Sequence, residues 1–316
     1  MNELLQVLSV TLPIFILVAM GFLATKKEIL PAGSNKALAA FAVNFALPAI
    51  LFRSISAKPM SELFQADFFL AYGAGSLASY FIVYSFARLV LKENGKRCAM
   101  WGLGSSLSNT LMVGLPILTL VYGPQAIVTP VALMVMVETF IILPLSMILA
   151  ESSGQAHKSF TQKVVDSFTP LIRNPIIIAI VLGAIVSLLN IPVPDVLSRI
   201  VDMLAVTVSG VALVALGGML VGVPMGNMLK PVMIVIPAKL VMHPLLVTLA
   251  FVLVGTIDVT MMSIGIVIAS ASMFGIFPII AARFGLGSEA AAIVVPATIL
   301  AFFSLNASLW LTGLYL

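Results

Sequence analysis

Ten apolar runs of about 17–25 residues follow one another along this chain, separated by connectors of which the longest is 151–173, and that length crosses a bilayer core as one helix. They fall near 5–24, 36–53, 68–91, 99–121, 126–149, 174–190, 197–222, 231–254, 260–283 and 289–314. Lipid offers backbone N–H and C=O groups no partner, so each run is expected to be helical. Composition agrees: 61% of the 316 residues are hydrophobic and 9% are charged. A soluble domain carries roughly 25% charged residues. The expected fold class is an all-α integral membrane protein.

The first run, Leu4 to Leu23, follows Glu3 and has no basic residue before Lys26. It lacks the positive leader of a secretory signal and is expected to remain as the first helix. The net charge of +4 sits in the connectors, where it reports orientation and not nucleic-acid binding. One cysteine, Cys98, and two histidines, His157 and His243, exclude a disulfide framework and a Cys/His metal cluster.

The fourth run contains Asn109-Thr-Leu-Met-Val-Gly-Leu-Pro116 and continues to Gly123, with Ser105, Ser106 and Ser108 just before it. A plain lipid-facing helix has no use for so many polar and helix-breaking residues. The ninth run carries a near-copy, Ala271-Ser-Met-Phe-Gly-Ile-Phe-Pro278, continuing to Gly285. Paired Gly/Pro-interrupted segments in two halves of a membrane chain point to a transporter binding site. Gly114 and Pro116 are expected to interrupt the fourth span, and Gly275 and Pro278 the ninth. A helix broken at membrane depth frees an N-terminus with partial positive charge and unpaired donors, which suits a carboxylate.

Two further echoes support a repeat. Ala126-Ile-Val-Thr-Pro130 matches Ala292-Ile-Val-Val-Pro296, and Phe45-Ala-Leu-Pro-Ala-Ile-Leu51 is faintly matched by Val211-Ala-Leu-Val-Ala-Leu-Gly217. The expected organisation is a first five-helix repeat over 1–150, a linker over 151–173 and a second repeat over 174–316. Five spans is an odd number, so the second repeat enters from the opposite face, giving inverted-topology repeats. With the N-terminus outside, Lys26, Lys27, Lys36, Arg88, Lys92, Lys96, Arg97, Lys158, Lys163, Arg173, Lys230 and Arg283 face the cytoplasm, against Arg53, Lys58 and Arg199 outside. That bias puts both termini outside the plasma (inner) membrane and the linker in the cytoplasm.

Asn44 lies one helical turn before Pro48 in the second span and either glues helices or lines the site. Glu138 lies in mid-span five, and Lys239 and His243 share a face of span eight. Charges at this depth cost at least about 2.5 kcal/mol, which makes them functional candidates. Glu138 suits a proton or cation carrier or a partner for Lys239. Lys239 suits neutralisation of helix C-termini or attraction of an anion, and His243 suits a proton relay. No zinc-protease, nucleophile-elbow or phosphate-loop motif is present, so no enzyme is expected.

With these residues in view, the chain resembles the auxin efflux carrier family, in particular its short bacterial members associated with malonate and other organic anions. The resemblance rests on Asn44-Phe-Ala-Leu-Pro48, Ser108-Asn-Thr through Gly-Leu-Pro116, Lys239-Leu-Val-Met-His-Pro244 and the segment around Pro278. It implies ten transmembrane helices in two inverted five-helix repeats, with helices four and nine unwound and crossing near Pro116 and Pro278. It also implies an elevator-like motion, carboxylate cargo and a homodimer. Plant members carry a much longer cytoplasmic loop than 151–173.

The function expected is secondary transport of a small organic anion, a malonate-like mono- or dicarboxylate, across the lipid bilayer. No cofactor or nucleic acid is involved, and the coupling ion is H+ or Na+. The expected substrate contacts are Asn44, Ser108, Asn109, Thr110, Gly114, Pro116, Ser270, Ser272, Gly275 and Pro278. Glu138, Lys239 and His243 serve coupling or charge compensation. Because Asn109 aligns with Ala271, the first interrupted segment is expected to supply most side-chain contacts and the second mainly backbone. The alternatives are a cation/proton antiporter with Glu138 as ion carrier and, further off, a membrane sensor.

Overall fold

The computed structural model describes residues 2–31, 33–59, 63–153, 161–162, 165, 168–169, 173–222 and 228–313. Most of the expected 151–173 linker, with His157, Lys158, Lys163 and Asp166, lies outside the described residues. Among the described residues the regular secondary structure is all helical, joined by turns and short irregular stretches, with one isolated antiparallel bridge between Ser108 and Met273.

The helices are α1 (Asn2–Lys26), α2 (Ser34–Ser56), α3 (Ala66–Val90), α4 (Gly95–Ser106), α5 (Thr110–Gly123), α6 (Gln125–Ser152), α7 (Pro175–Leu188), α8 (Asp195–Met219), α9 (Leu229–Val254), α10 (Val259–Ala269), α11 (Phe277–Ala282) and α12 (Gly287–Leu311). Six of them, α2, α3, α6, α8, α9 and α12, are long and apolar enough to cross a membrane. Shorter apolar stretches lie in α1, α5, α7 and α10.

The chain forms two compact units. The first comprises Met1–Gln65, Leu111–Leu133 and Ile172–Gly222. In it α1 packs along the second half of α8, and α7 packs along the second half of α2. Small residues allow the close approach. A Cβ added at Gly217 would run into the Val18 carbonyl of α1, and one at Gly21 into the Val214 backbone of α8. Gly123 (φ 76°) supplies the left-handed residue that separates α5 from α6.

The second unit comprises Ala66–Thr110, Met134–Leu171 and Val223–Leu316. Here α3 packs on α9 and α4, α4 packs on the end of α6, α9 packs on α10, and α11 packs on α12. Two matching caps start the interrupted spans: Asn94 accepts from the Arg97 amide at the head of α4, and Asp258 from the Met261 amide at the head of α10. At the end of this unit, Glu93 accepts hydrogen bonds from Lys230 (2.6 Å) and Arg97 (2.8 Å), and Arg97 forms an ion pair with Glu289 (3.1 Å). Hydrogen bonding by Lys230, then by Arg97, holds the Glu93 carboxyl below the usual carboxylate range.

Four helices contain a π turn that ends two residues before a proline: Ala42–Ala46 before Pro48, Thr110–Gly114 before Pro116, Glu138–Ile142 before Pro144 and Ala238–Met242 before Pro244. Proline has no N–H, and its ring clashes with the carbonyl four residues back. Widening the turn by one residue relieves both problems. The fourth span is therefore interrupted earlier than Gly114 and Pro116 suggest. It breaks at Leu107–Asn109, where Leu107 is already extended (φ −84°, ψ 116°). In the ninth span the break runs from 270 to 276 and includes Gly275, and Pro278 is the second residue of α11.

Candidate site at the crossing of two interrupted spans

The two breaks meet inside the second unit. The Asn109 amide donates to the Ser272 carbonyl (2.8 Å), next to the Ser108–Met273 bridge. Two short extended stretches thus satisfy each other where neither is helical, which membrane-depth backbone requires. Ser108, Asn109, Thr110, Ser270 and Ser272 are all buried here.

Polar side chains from α3, α6 and α9 close around this crossing. Tyr72, Ser76 and Ser79 lie at i, i+4 and i+7 on one face of α3. The Lys239 ammonium donates to Ser108 Oγ (2.7 Å) and to the Ala269 carbonyl at the end of α10 (2.7 Å), and it stands 2.8 Å from His243 Nδ1. With Lys239 donating to Nδ1, the ring proton is assigned to Nε2, which faces Ser76 Oγ at 3.0 Å. On the other side Glu138 Oε1 accepts from Thr110 Oγ1 (2.7 Å) and from the Tyr72 hydroxyl (3.1 Å). The Tyr72 oxygen lies 3.4 Å from Ser108 Oγ.

Glu138 and Lys239 are therefore joined through Tyr72 and Ser108, not through a direct ion pair. The line runs Glu138, Tyr72, Ser108, Lys239, His243, Ser76. Glu138 is 5% exposed and Lys239 and His243 are 0% exposed, so both charges are removed from solvent. Two opposite charges placed this close offset part of a desolvation cost that is several kcal/mol per ion.

The remaining expected site residues fall as follows. Ser270 Oγ bonds back to the Val267 carbonyl (2.7 Å), and the Ser270 carbonyl accepts from Ser304 of α12 (2.7 Å). The buried Ser272 hydroxyl has no hydrogen-bond partner among the described residues. A Cβ at Gly275 would meet nothing within 4 Å, so that stretch has open space beside it. Gly114, Pro116 and Asn44 belong to the first unit. Asn44 is exposed and turns its amide back onto the Ala40 carbonyl (2.7 Å). Tyr72 and Ser76 were not foreseen. Their signal was the four-residue spacing of polar groups beside Gly73 and Gly75 in an otherwise apolar run.

A family model described as membrane transport protein matches residues 6–310. A protein of Rhizobium meliloti (strain 1021), provisionally named as a malonate transporter, is 26% identical over 310 residues, covering 97% of this chain and 96% of that one. The lysosomal cholesterol signaling protein of Mus musculus is 27% identical over 252 residues, covering 73% of this chain but only 28% of that longer protein. The chain is a multi-pass membrane protein and belongs to the membrane transport protein family, the auxin efflux carriers that its proline segments resemble.

Proposed function

We propose that this protein is a secondary carrier of a small organic anion, a malonate-like mono- or dicarboxylate, bound at the crossing of the two interrupted spans. The observation that carries the reading is the buried line from Glu138 to His243 set against that crossing. Asn109, Ser108 and Ser272 supply hydrogen-bonding groups where helix dipoles and free backbone donors favour an anion.

Charge balance argues for proton coupling. With Glu138 ionised and Lys239 protonated the centre is neutral, and an anion entering with one negative charge, a monocarboxylate or a dicarboxylate bound as its monoanion, leaves one uncompensated negative charge at membrane depth. Protonating Glu138 restores neutrality. Anion and proton therefore bind cooperatively, each raising the affinity of the other. Uptake should rise as the pH on the loading side falls.

A ten-span architecture with two inverted five-helix repeats, split at 151–173, is part of the proposal. Exchanging the halves maps the α1–α8 pair onto α7–α2 in one unit and leaves the α3–α9 pair in place in the other. The caps Asn94 and Asp258 correspond under the same exchange. Alternating access then comes from an elevator-like displacement of one helix set against the other, with both termini outside.

A cation/proton antiporter is the second reading, favoured by the enclosed Glu138 carboxylate with its two hydroxyl donors. A thermal-shift screen of purified protein against mono- and dicarboxylates, with and without sodium at two pH values, separates the two. The carrier reading expects stabilisation by a carboxylate that is larger at the lower pH. Stabilisation by sodium with no response to any carboxylate would favour the antiporter.

A further inference from the structure

Along α9 the buried positions recur at every fourth residue: Pro231, Val235, Lys239, His243, Val247 and Phe251. In an α-helix each such step drifts by about 40°, so five steps would turn the face through about 200° and leave one end in lipid. The π turn at Ala238–Met242 takes back about 100° by placing one extra residue in a single turn. The α6 helix repeats the pattern with Met134, Glu138, Ile142, Ser146 and Ala150 around the π turn at Glu138–Ile142. In each helix a proline stands two residues beyond the turn. The widened bonds run from the Leu143 amide to the Glu138 carbonyl and from the His243 amide to the Ala238 carbonyl.

We propose that Pro144 and Pro244 are positioning residues: they hold the π turns of α6 and α9, and so aim Glu138 and Lys239 at Tyr72, Ser108 and Ala269. The proposal deepens the carrier reading and rests on it for the use made of the two charges. The physical reason is local. An α-helical turn would set the Pro244 ring against the Leu240 carbonyl and leave that carbonyl unpaired; the same holds for Pro144 and Phe140. With alanine at 244 the α-helical ladder can close, and the part of α9 before it turns by about 100° relative to His243. Lys239 then leaves Ser108 and Ala269, while His243 keeps Ser76.

The test compares Pro244→Ala with Pro244→Ala carrying a deletion of Val241, an exposed residue inside the π turn (57% exposed). The deletion removes the extra residue, so a regular α-helix again points Lys239 at the crossing. Two readouts are taken in parallel. One is malonate uptake into proteoliposomes. The other, in a Cys98→Ser background, is disulfide formation between Gly104→Cys on α4 and Val235→Cys on α9, since a Cβ at Gly104 would stand 2.9 Å from Val235 Cγ1. The proposal expects the cross-link to form with proline present, to fall with Pro244→Ala and to return with the deletion. Uptake should follow the same course, falling on the order of tenfold or more, as displacement of a positioned group by about 1 Å can do. Unchanged cross-linking and uptake in Pro244→Ala overturns the proposal, as does a loss that the deletion fails to restore. A pair that does not cross-link with proline present contradicts the register itself. If the parent protein moves no carboxylate, the carrier reading falls and the cross-link alone decides the register.

Discussion

Ser108 is where the two buried charges meet. Its single hydroxyl accepts from Lys239 and faces the Tyr72 oxygen, and Tyr72 in turn donates to Glu138. A hydroxyl can accept and donate at once, which no apolar replacement can do. Tyr72→Phe keeps the ring stacked on Phe68 (centroids 6.2 Å apart) and removes only the link. It is expected to insert and fold normally while uptake loses much of its dependence on pH; an unaltered pH profile would take Tyr72 out of the coupling line. Glu138→Gln, which mimics the protonated acid, is expected to abolish that dependence entirely. Glu138, Lys239 and His243 were legible in the sequence because an ionisable group in an apolar run is costly and therefore conspicuous. Tyr72 and Ser76 were not, because tyrosine and serine are ordinary packing residues in membrane helices and only their spacing set them apart.

At the scale of the element, the sequence made the two interruptions visible but misplaced the first one. Gly114 and Pro116 draw attention, yet the chain opens at Leu107–Asn109, where Asn109 finds its backbone partner on the other span. Pro116 is expected to interrupt its span, whereas Pro48, Pro116, Pro144 and Pro244 each sit just beyond a widened turn within a helix. That outcome depends on which flanking residues pack inward, which no local signal states. Close helix contacts make a second test. A Cβ at Gly75 would stand 2.7 Å from the Val247 Cα, a backbone atom that cannot swing away. Gly75→Ala should therefore lower thermal stability by roughly 1–3 kcal/mol. Gly210→Ala, where a Cβ meets nothing within 4 Å, should be neutral or stabilising. Equal effects at the two positions would contradict the packing of α3 on α9.

At the scale of the whole molecule, each compact unit draws helices from both halves of the chain. The second unit is also tied at one end by Glu93, Lys230, Arg97 and Glu289. The Glu93 carboxyl titrates below its ordinary range, so its contribution is fully present above the carboxylate range and lost as pH falls through the lowered value. Glu93→Gln should accordingly lower the melting temperature at neutral pH, and the difference from the parent should close in acid. The central claim is that the buried crossing in this unit binds the transported anion. Its most direct test is uptake of labelled malonate into proteoliposomes under an acid-outside gradient, comparing the parent protein with Asn109→Ala at matched insertion. The account predicts saturable, gradient-dependent uptake in the parent and its loss in Asn109→Ala. Normal uptake by a well-inserted Asn109→Ala protein would contradict it.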